Sequence, residues 1–265
     1  MTSPLSPHAA RATRGAQPHP QQPPVHTHMH THPRRRAAST ATHRYYSELL
    51  HGAAWVQHGA ASGDAASDGS GGSGGSGVVL AVGPPGTGKT GVPCHAAADL
   101  LLSGQVRRIV VTAPGVVLGR TQLSTLSTSP HVRPVYEHLL DSRLGPSLAS
   151  QVERGAVEVL PLAALRGLTL DDCFVVADDM QDALHADLFT LLTRVGRNCK
   201  LVVTGRSSTA PSGSLYVKGG LGTVLAAVER AFETSDESPI HLVRFGEADI
   251  VRGDMARRIL NLLEN

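Results

Sequence analysis

The chain has 265 residues, 41% hydrophobic and 17% charged, which is enough apolar content for one sizeable core with flexible appendages. Its formal net charge of +2 gives no overall argument for a nucleic-acid or membrane partner. The three cysteines, Cys94, Cys173 and Cys199, form no C-x-x-C pair, so neither a disulfide framework nor a zinc site is indicated and a reducing compartment fits.

No stretch approaches the ~18 to 20 apolar residues of a membrane span, and no secretory h-region opens the chain. A soluble, cytoplasmic protein is therefore expected. The charge is unevenly placed: no Asp or Glu precedes Glu48, whereas Arg11, Arg14, Arg34, Arg35, Arg36 and Arg44 do. Residues 1–42, rich in Pro, His, Ser, Thr, Ala and Arg and lacking apolar periodicity, cannot bury enough surface to offset the entropy of ordering, and a disordered tail is predicted. Within it His26, His28, His30 and His32 alternate, and clustered imidazoles suit zinc, nickel or copper. A polar tail with incidental metal affinity is the favoured reading. The acid-free, Arg- and Ser-rich arm also has the character of a transit peptide, which makes an organelle the alternative to the cytoplasm.

A short helical segment is expected over 43–58, with Tyr45 to Gln57 amphipathic and Tyr46, Leu49, Leu50 and Trp55 on its apolar side. Residues 59–77, ending GSGGSGGSG, read as a flexible linker. The folded domain is expected over 78–265. There, short apolar runs alternate with segments of helical period, the pattern of an α/β fold with a mostly parallel sheet flanked by helices on both faces. Strands are predicted at Val78 to Val82, Ile109 to Thr112, Val157 to Leu160, Phe174 to Ala177, Leu201 to Thr204 and Ile240 to Val243. Most are β-branched, brief and apolar on both faces, as strands covered twice must be. Helices are predicted at Lys89 to Leu102, Ser147 to Arg154, Leu184 to Thr193, Leu221 to Phe232 and Met255 to Leu263.

Between the first strand and the first of these helices lies Gly83-Pro84-Pro85-Gly86-Thr87-Gly88-Lys89-Thr90, a full match to G-x-x-x-x-G-K-S/T in the context that the motif requires. Glycines permit the backbone N–H groups to converge on phosphates, and the helix amino terminus adds its positive dipole end. Lys89 is expected to reach the β- and γ-phosphates and the Thr90 hydroxyl to ligate Mg²⁺. Pro93 falls about one turn into the helix, which is tolerable only if the helix starts late.

Hydrolysis also needs an acid at the end of a neighbouring strand. Phe174-Val175-Val176-Ala177-Asp178-Asp179 supplies one: Asp178 is assigned to the metal and Asp179 to the water-polarising base. The competing reading is that Asp178, Asp179 and Asp182 merely cap the following helix.

The segments GPPGTGKT, SGQVRRIVVT, VRPVYEHLLD, ERGAVEVLPLAALRGLTLDDCFVVADDMQD, LLTRVGRNCKLVVTG and FGEADIVRGDMARRIL together resemble, in the same order, the PhoH-like ATPases, P-loop NTPases related to the cores of superfamily I helicases. The likeness runs from about Val78 to Leu263. It implies ATP binding and hydrolysis, possible assembly as a homo-oligomeric ring, and RNA remodelling. Residue by residue it implies a phosphate role for Gly83, Gly86, Thr87, Gly88, Lys89 and Thr90, with Pro84 and Pro85 filling the loop, and a metal role for Asp178. Gln181 matches the family glutamine that senses γ-phosphate or water. Arg166, in an R-G-x-T turn, and Arg252, in a D-V-V-R-like segment, are implied phosphate contacts, Arg252 as an arginine finger across a subunit boundary. Surface ion pairs are the competing role for both.

The sequence also departs from the family pattern. The acid expected after Asp178 is Asp in place of Glu, one methylene shorter, where a misplacement near ~1 Å can cost on the order of 100-fold in rate. Thr204-Gly205-Arg206 stands where T-G-D is expected, Ala113 where an arginine is expected, and no glutamine precedes the first strand to read adenine. These departures motivate an alternative to the ATPase, a nucleotide-binding regulatory module with little turnover. A small-molecule kinase ranks lower, since no lid-like run of arginines is present. RNA as a partner rests on the resemblance and the basic arm, whose phosphate grip would weaken with salt. With 3% aromatic residues, no base-stacking platform is evident.

Overall fold

A computed structural model describes residues 40–51, 75–117, 123–206, 208–209, 215–216, 219–234 and 240–251. The His-rich tail up to residue 39, most of the predicted linker, Trp55, Arg252 and the predicted helix Met255 to Leu263 lie outside these residues. Six parallel strands form the sheet: β1 (Gly77–Gly83), β2 (Arg108–Thr112), β3 (Val157–Val159), β4 (Cys173–Ala177), β5 (Lys200–Arg206) and, after a two-residue-per-strand antiparallel hairpin of β6 (Ser208–Thr209) and β7 (Leu215–Tyr216), β8 (Ile240–Arg244). The spatial order is β3-β2-β4-β5-β1-β8, and every pairing in the sheet is parallel.

Alternation along the strands divides the core into two layers, because successive side chains leave opposite faces. Val79, Ala81, Ile109, Val111, Phe174, Val176 and Val202 face a layer built from α1 (Thr40–His51), α2 (Gly91–Leu102), α3 (Leu123–Thr128), α4 (Arg133–Asp141) and α5 (Leu148–Glu153). Val78, Leu80, Val82, Val110, Val175, Leu201 and Val203 face the other layer, with α6 (His185–Leu192) and α7 (Gly219–Thr234). This is the predicted P-loop α/β architecture. Among the described residues no helix is long and apolar enough to cross a membrane.

Several boundaries move. β1 starts at Gly77 and Ser76 Oγ donates to Gly196 O at 2.7 Å, so ordered structure reaches into the end of the predicted linker. The first helix starts at Thr40, before the predicted Tyr45, and takes in residues 40–42 of the predicted tail. Its Tyr45 and Leu49 are buried in the core, and the Tyr46 hydroxyl bonds Asp99 on α2. α2 begins at Gly91, two residues after the predicted Lys89, which puts Pro93 in the first turn, where a missing N–H leaves no helical bond unmade. α3 and α4 were not predicted. α4 is short and has Pro134 in its first turn, a position that proline tolerates; Val135 and Leu139 anchor it in the core and an Arg133–Glu137 pair at 2.8 Å spans one turn.

Candidate functional site

Ligands in open α/β sheets bind beyond the carboxyl ends of the strands, and Gly83 to Thr90, Asp178, Asp179 and Gln181 gather there. β1 runs into the glycine-rich loop. Gly83 must be glycine on packing grounds: a Cβ would lie 2.6 Å from Phe245 Cβ and 2.7 Å from Phe245 O. Gly86 (φ 86°) and Gly88 (φ 90°) occupy left-handed backbone that other residues rarely adopt. Thr87 is buried and donates to Pro84 O at 3.1 Å, and the Lys89 ammonium, also buried, donates to Pro84 O at 2.6 Å. Pro85, between them, is partly exposed. The loop is tied from outside as well, by Thr42 Oγ1 donating to Thr87 O at 3.5 Å and Val251 N–H donating to Gly86 O at 2.9 Å.

β5 stands between the loop strand β1 and the acid strand β4. Register pairs Ala177 with Val203, so Thr204 comes level with Asp178. Asp178 Oδ1 accepts from two hydroxyls, Thr90 Oγ1 and Thr204 Oγ1, each at 2.7 Å. Its own N–H donates to Thr112 O at 2.9 Å. Burial pushes the Asp178 carboxyl above its ordinary value; the hydroxyls of Thr204 and Thr90 oppose that rise, Asp179 adds to it, and His138 opposes it. His138, on α4, lies against the start of α2: a Cβ on Gly91 would meet its ring at 3.1 Å. Burial lowers the pKa of this imidazole. Sequence reasoning named neither Thr204 nor His138 as a site residue. For Thr204 the available signal was its place one step past the apolar run of β5; for His138 none exists without the fold.

Asp179 takes a left-handed backbone (φ 55°) and its N–H donates to Thr204 Oγ1 at 3.1 Å. Its half-exposed carboxylate lies 3.6 Å from the Arg206 guanidinium. Gln181 is bound to the same strand end, its Oε1 accepting the Arg206 N–H at 3.0 Å. Arg166 is exposed and sits 3.8 Å from the Asp187 carboxylate on α6. Arg252 lies outside the described residues. Thus the structure brings Thr90, Asp178 and Thr204 into direct contact beside Lys89, sets Asp179 and Gln181 at the neighbouring strand end, and pairs Arg166 with α6.

The profile of the PhoH family, described as "PhoH-like protein", matches residues 74–264. A "PhoH-like protein" of Bacillus subtilis (strain 168) is 32% identical over 189 residues, 69% of this chain and 57% of the relative. One of Synechocystis sp. is 32% identical over 193 residues, 71% and 56%. "Protein PhoH" of Escherichia coli (strain K12) is 33% identical over 195 residues, 69% and 52%. The matches span little more than half the length of these relatives. On the sheet order, the glycine-rich loop, the acid strand one strand away from it and these matches, the chain belongs to the PhoH-like family.

Proposed function

We propose that the chain is a magnesium-dependent ATPase of the PhoH type. The observation that carries this reading is the double hydroxyl contact on Asp178 Oδ1 from Thr90 and Thr204, set at the end of a loop whose Gly86 and Gly88 hold left-handed backbone. A hydroxyl and a buried carboxylate in contact are hard oxygen donors of the kind that magnesium prefers, so the residues present fit the cation. Thr90 and Asp178 would hold it, and when bound it supplies charge neutralisation on the phosphate oxygens. Gly83 to Gly88, with Pro84 and Pro85, form the phosphate cradle. Lys89 exchanges the Pro84 carbonyl for the β- and γ-phosphates. Asp179 takes the proton of the attacking water, Gln181 orients that water, and Arg166 and Arg252 are phosphate contacts, Arg252 from a neighbouring copy in a ring. RNA is the proposed partner, its remodelling coupled to ATP hydrolysis, and the cytoplasm the proposed compartment.

The full chain is the material to test, since α1 contributes Tyr45 and Leu49 to the core. Phosphate release that requires magnesium, rises with single-stranded RNA and falls to background in Lys89→Ala is expected. A folded chain that releases no phosphate above background removes the ATPase reading. The second reading, a nucleotide-binding module with little turnover, is favoured by one observation: Asp179 and Gln181 are both engaged by Arg206. It is distinguished by thermal stabilisation with Mg-ATP in the absence of phosphate release.

A further inference from the structure

Cys173 opens β4 and Cys199 stands immediately before β5. Phe174 pairs with Lys200 in the parallel ladder, which makes the two cysteines the next cross-strand neighbours at the amino-terminal edge of the sheet, the edge opposite Asp178. Their Sγ atoms are 3.7 Å apart and both side chains are fully buried. Asp172 and Asn198, the residues just before them, both have φ 49°, and Asn198 Nδ2 donates to Asp172 Oδ1 at 3.3 Å. The two strands therefore begin as a matched pair. Ser76 Oγ, from the end of the Gly/Ser run, accepts the Cys199 N–H at 3.4 Å.

Two chemistries suit adjacent thiols, a soft metal ion and oxidation. A closed tetrahedral metal site takes four ligands, and no group of three His, Cys, Asp or Glu able to hold a metal occurs among the described residues. Oxidation needs only the pair. We propose that Cys173 and Cys199 form a dithiol oxidation site, which a peroxide converts to an intrachain disulfide linking β4 to β5 in the folded protein. The Cys173 thiolate attacks one peroxide oxygen and the O–O bond breaks. The leaving hydroxide takes a proton and departs as water, leaving a sulfenic acid. Cys199 then attacks that sulfur, the S–O bond breaks, and the thiol hydrogen leaves with the hydroxyl as a second water. Two electrons pass from the thiols to the peroxide. The hydrogen bond between the two sulfurs favours the attacking thiolate, burial opposes it, and Arg108, the ladder partner of Cys173, adds a smaller favourable effect. From 3.7 Å, the sulfurs must approach by roughly 1.6 Å to reach a bond of about 2.05 Å.

The third thiol is a built-in control. Cys94 belongs to the layer on the other face of the sheet, whereas Cys173 and Cys199 share one layer. The test is to treat the folded full chain with hydrogen peroxide, block remaining thiols with an alkylating reagent, and map the digest by mass spectrometry. A linked peptide joining Cys173 to Cys199 is expected as the main product. It should be reversed by dithiothreitol, form equally in Cys94→Ser, and be lost in Cys199→Ala. Because the map is read on the unaltered chain, it does not depend on a variant folding. Thiols that stay free in the folded chain, a link that forms only in urea-unfolded protein, or a main product containing Cys94 would each overturn the proposal.

Discussion

Thr204→Val removes one oxygen from the centre of the site while keeping the side-chain shape. That oxygen makes two contacts, donating to Asp178 Oδ1 at 2.7 Å and accepting the Asp179 N–H at 3.1 Å. A hydrogen bond to a charged group contributes about 1.5 to 3 kcal/mol, and a backbone N–H left without an acceptor costs about 1 to 3 kcal/mol when buried. Asp179 is half exposed, so the lower figure applies to it, and the sum is on the order of 2 to 4 kcal/mol. With a urea m-value of about 2 kcal/mol/M, the unfolding midpoint should fall by roughly 1 to 2 M at unchanged slope. Thr204→Ser, which keeps the hydroxyl, should lose less than about 1 kcal/mol, the rest being one methyl group. The same substitution removes one of the two hydroxyls that hold down the Asp178 pKa, so Thr204→Val should need more magnesium than the unaltered chain for equal stabilisation in mildly acidic buffer. A Val variant within about 0.5 kcal/mol of the parent, the range of a neutral surface change, or a Ser variant as damaged as Val, would refute the reasoning.

Asp178 also sets a pH dependence. Burial raises its folded-state pKa above the ordinary 3.8, so its contribution to stability is full below that value and is lost as pH rises through the folded-state one. Asp178→Asn should therefore flatten the metal-free urea midpoint as pH rises above that ordinary value and abolish stabilisation by magnesium; an Asn variant with the parent's slope contradicts this. Gly83→Ala should destabilise by about 1 to 3 kcal/mol, since its methyl meets the backbone of Phe245 at 2.7 Å and no rotamer relieves that; a urea midpoint near the parent's would show that the contact yields. Leu49→Ala should lose about 2 to 5 kcal/mol in a single cooperative transition, and an unchanged melting curve would show that α1 is not part of the folded unit.

The sheet was legible because its central strands β1, β2, β4 and β5 are short runs buried on both faces and bounded by turn residues, a pattern that few other structures allow. The glycine loop and Asp178 were legible because phosphate and metal chemistry demand particular residue types at particular strand ends. α3 and α4 were not, since Ser, Thr and Pro dominate Leu123 to Pro134 and mask helices that depend on tertiary packing at Leu126, Val135 and Leu139. Thr204 was hidden because a hydroxyl at the end of an apolar strand acquires its role only when the register of β4 and β5 sets it level with Asp178. The thiol pair, 26 residues apart, needed the register of β4 and β5 before it existed as a feature at all.

The phosphate cradle is moored to two distant parts of the chain. Thr42, on the helix that follows the basic arm, holds the carbonyl of Thr87, and Val251, at the last described residue, holds that of Gly86. A pull on either segment is a pull on the loop, and a loop that changes shape around a phosphate must tug in return on both. A displacement of α1 at Thr42 or of the backbone at Val251 would therefore be felt at the cradle through a single hydrogen bond each.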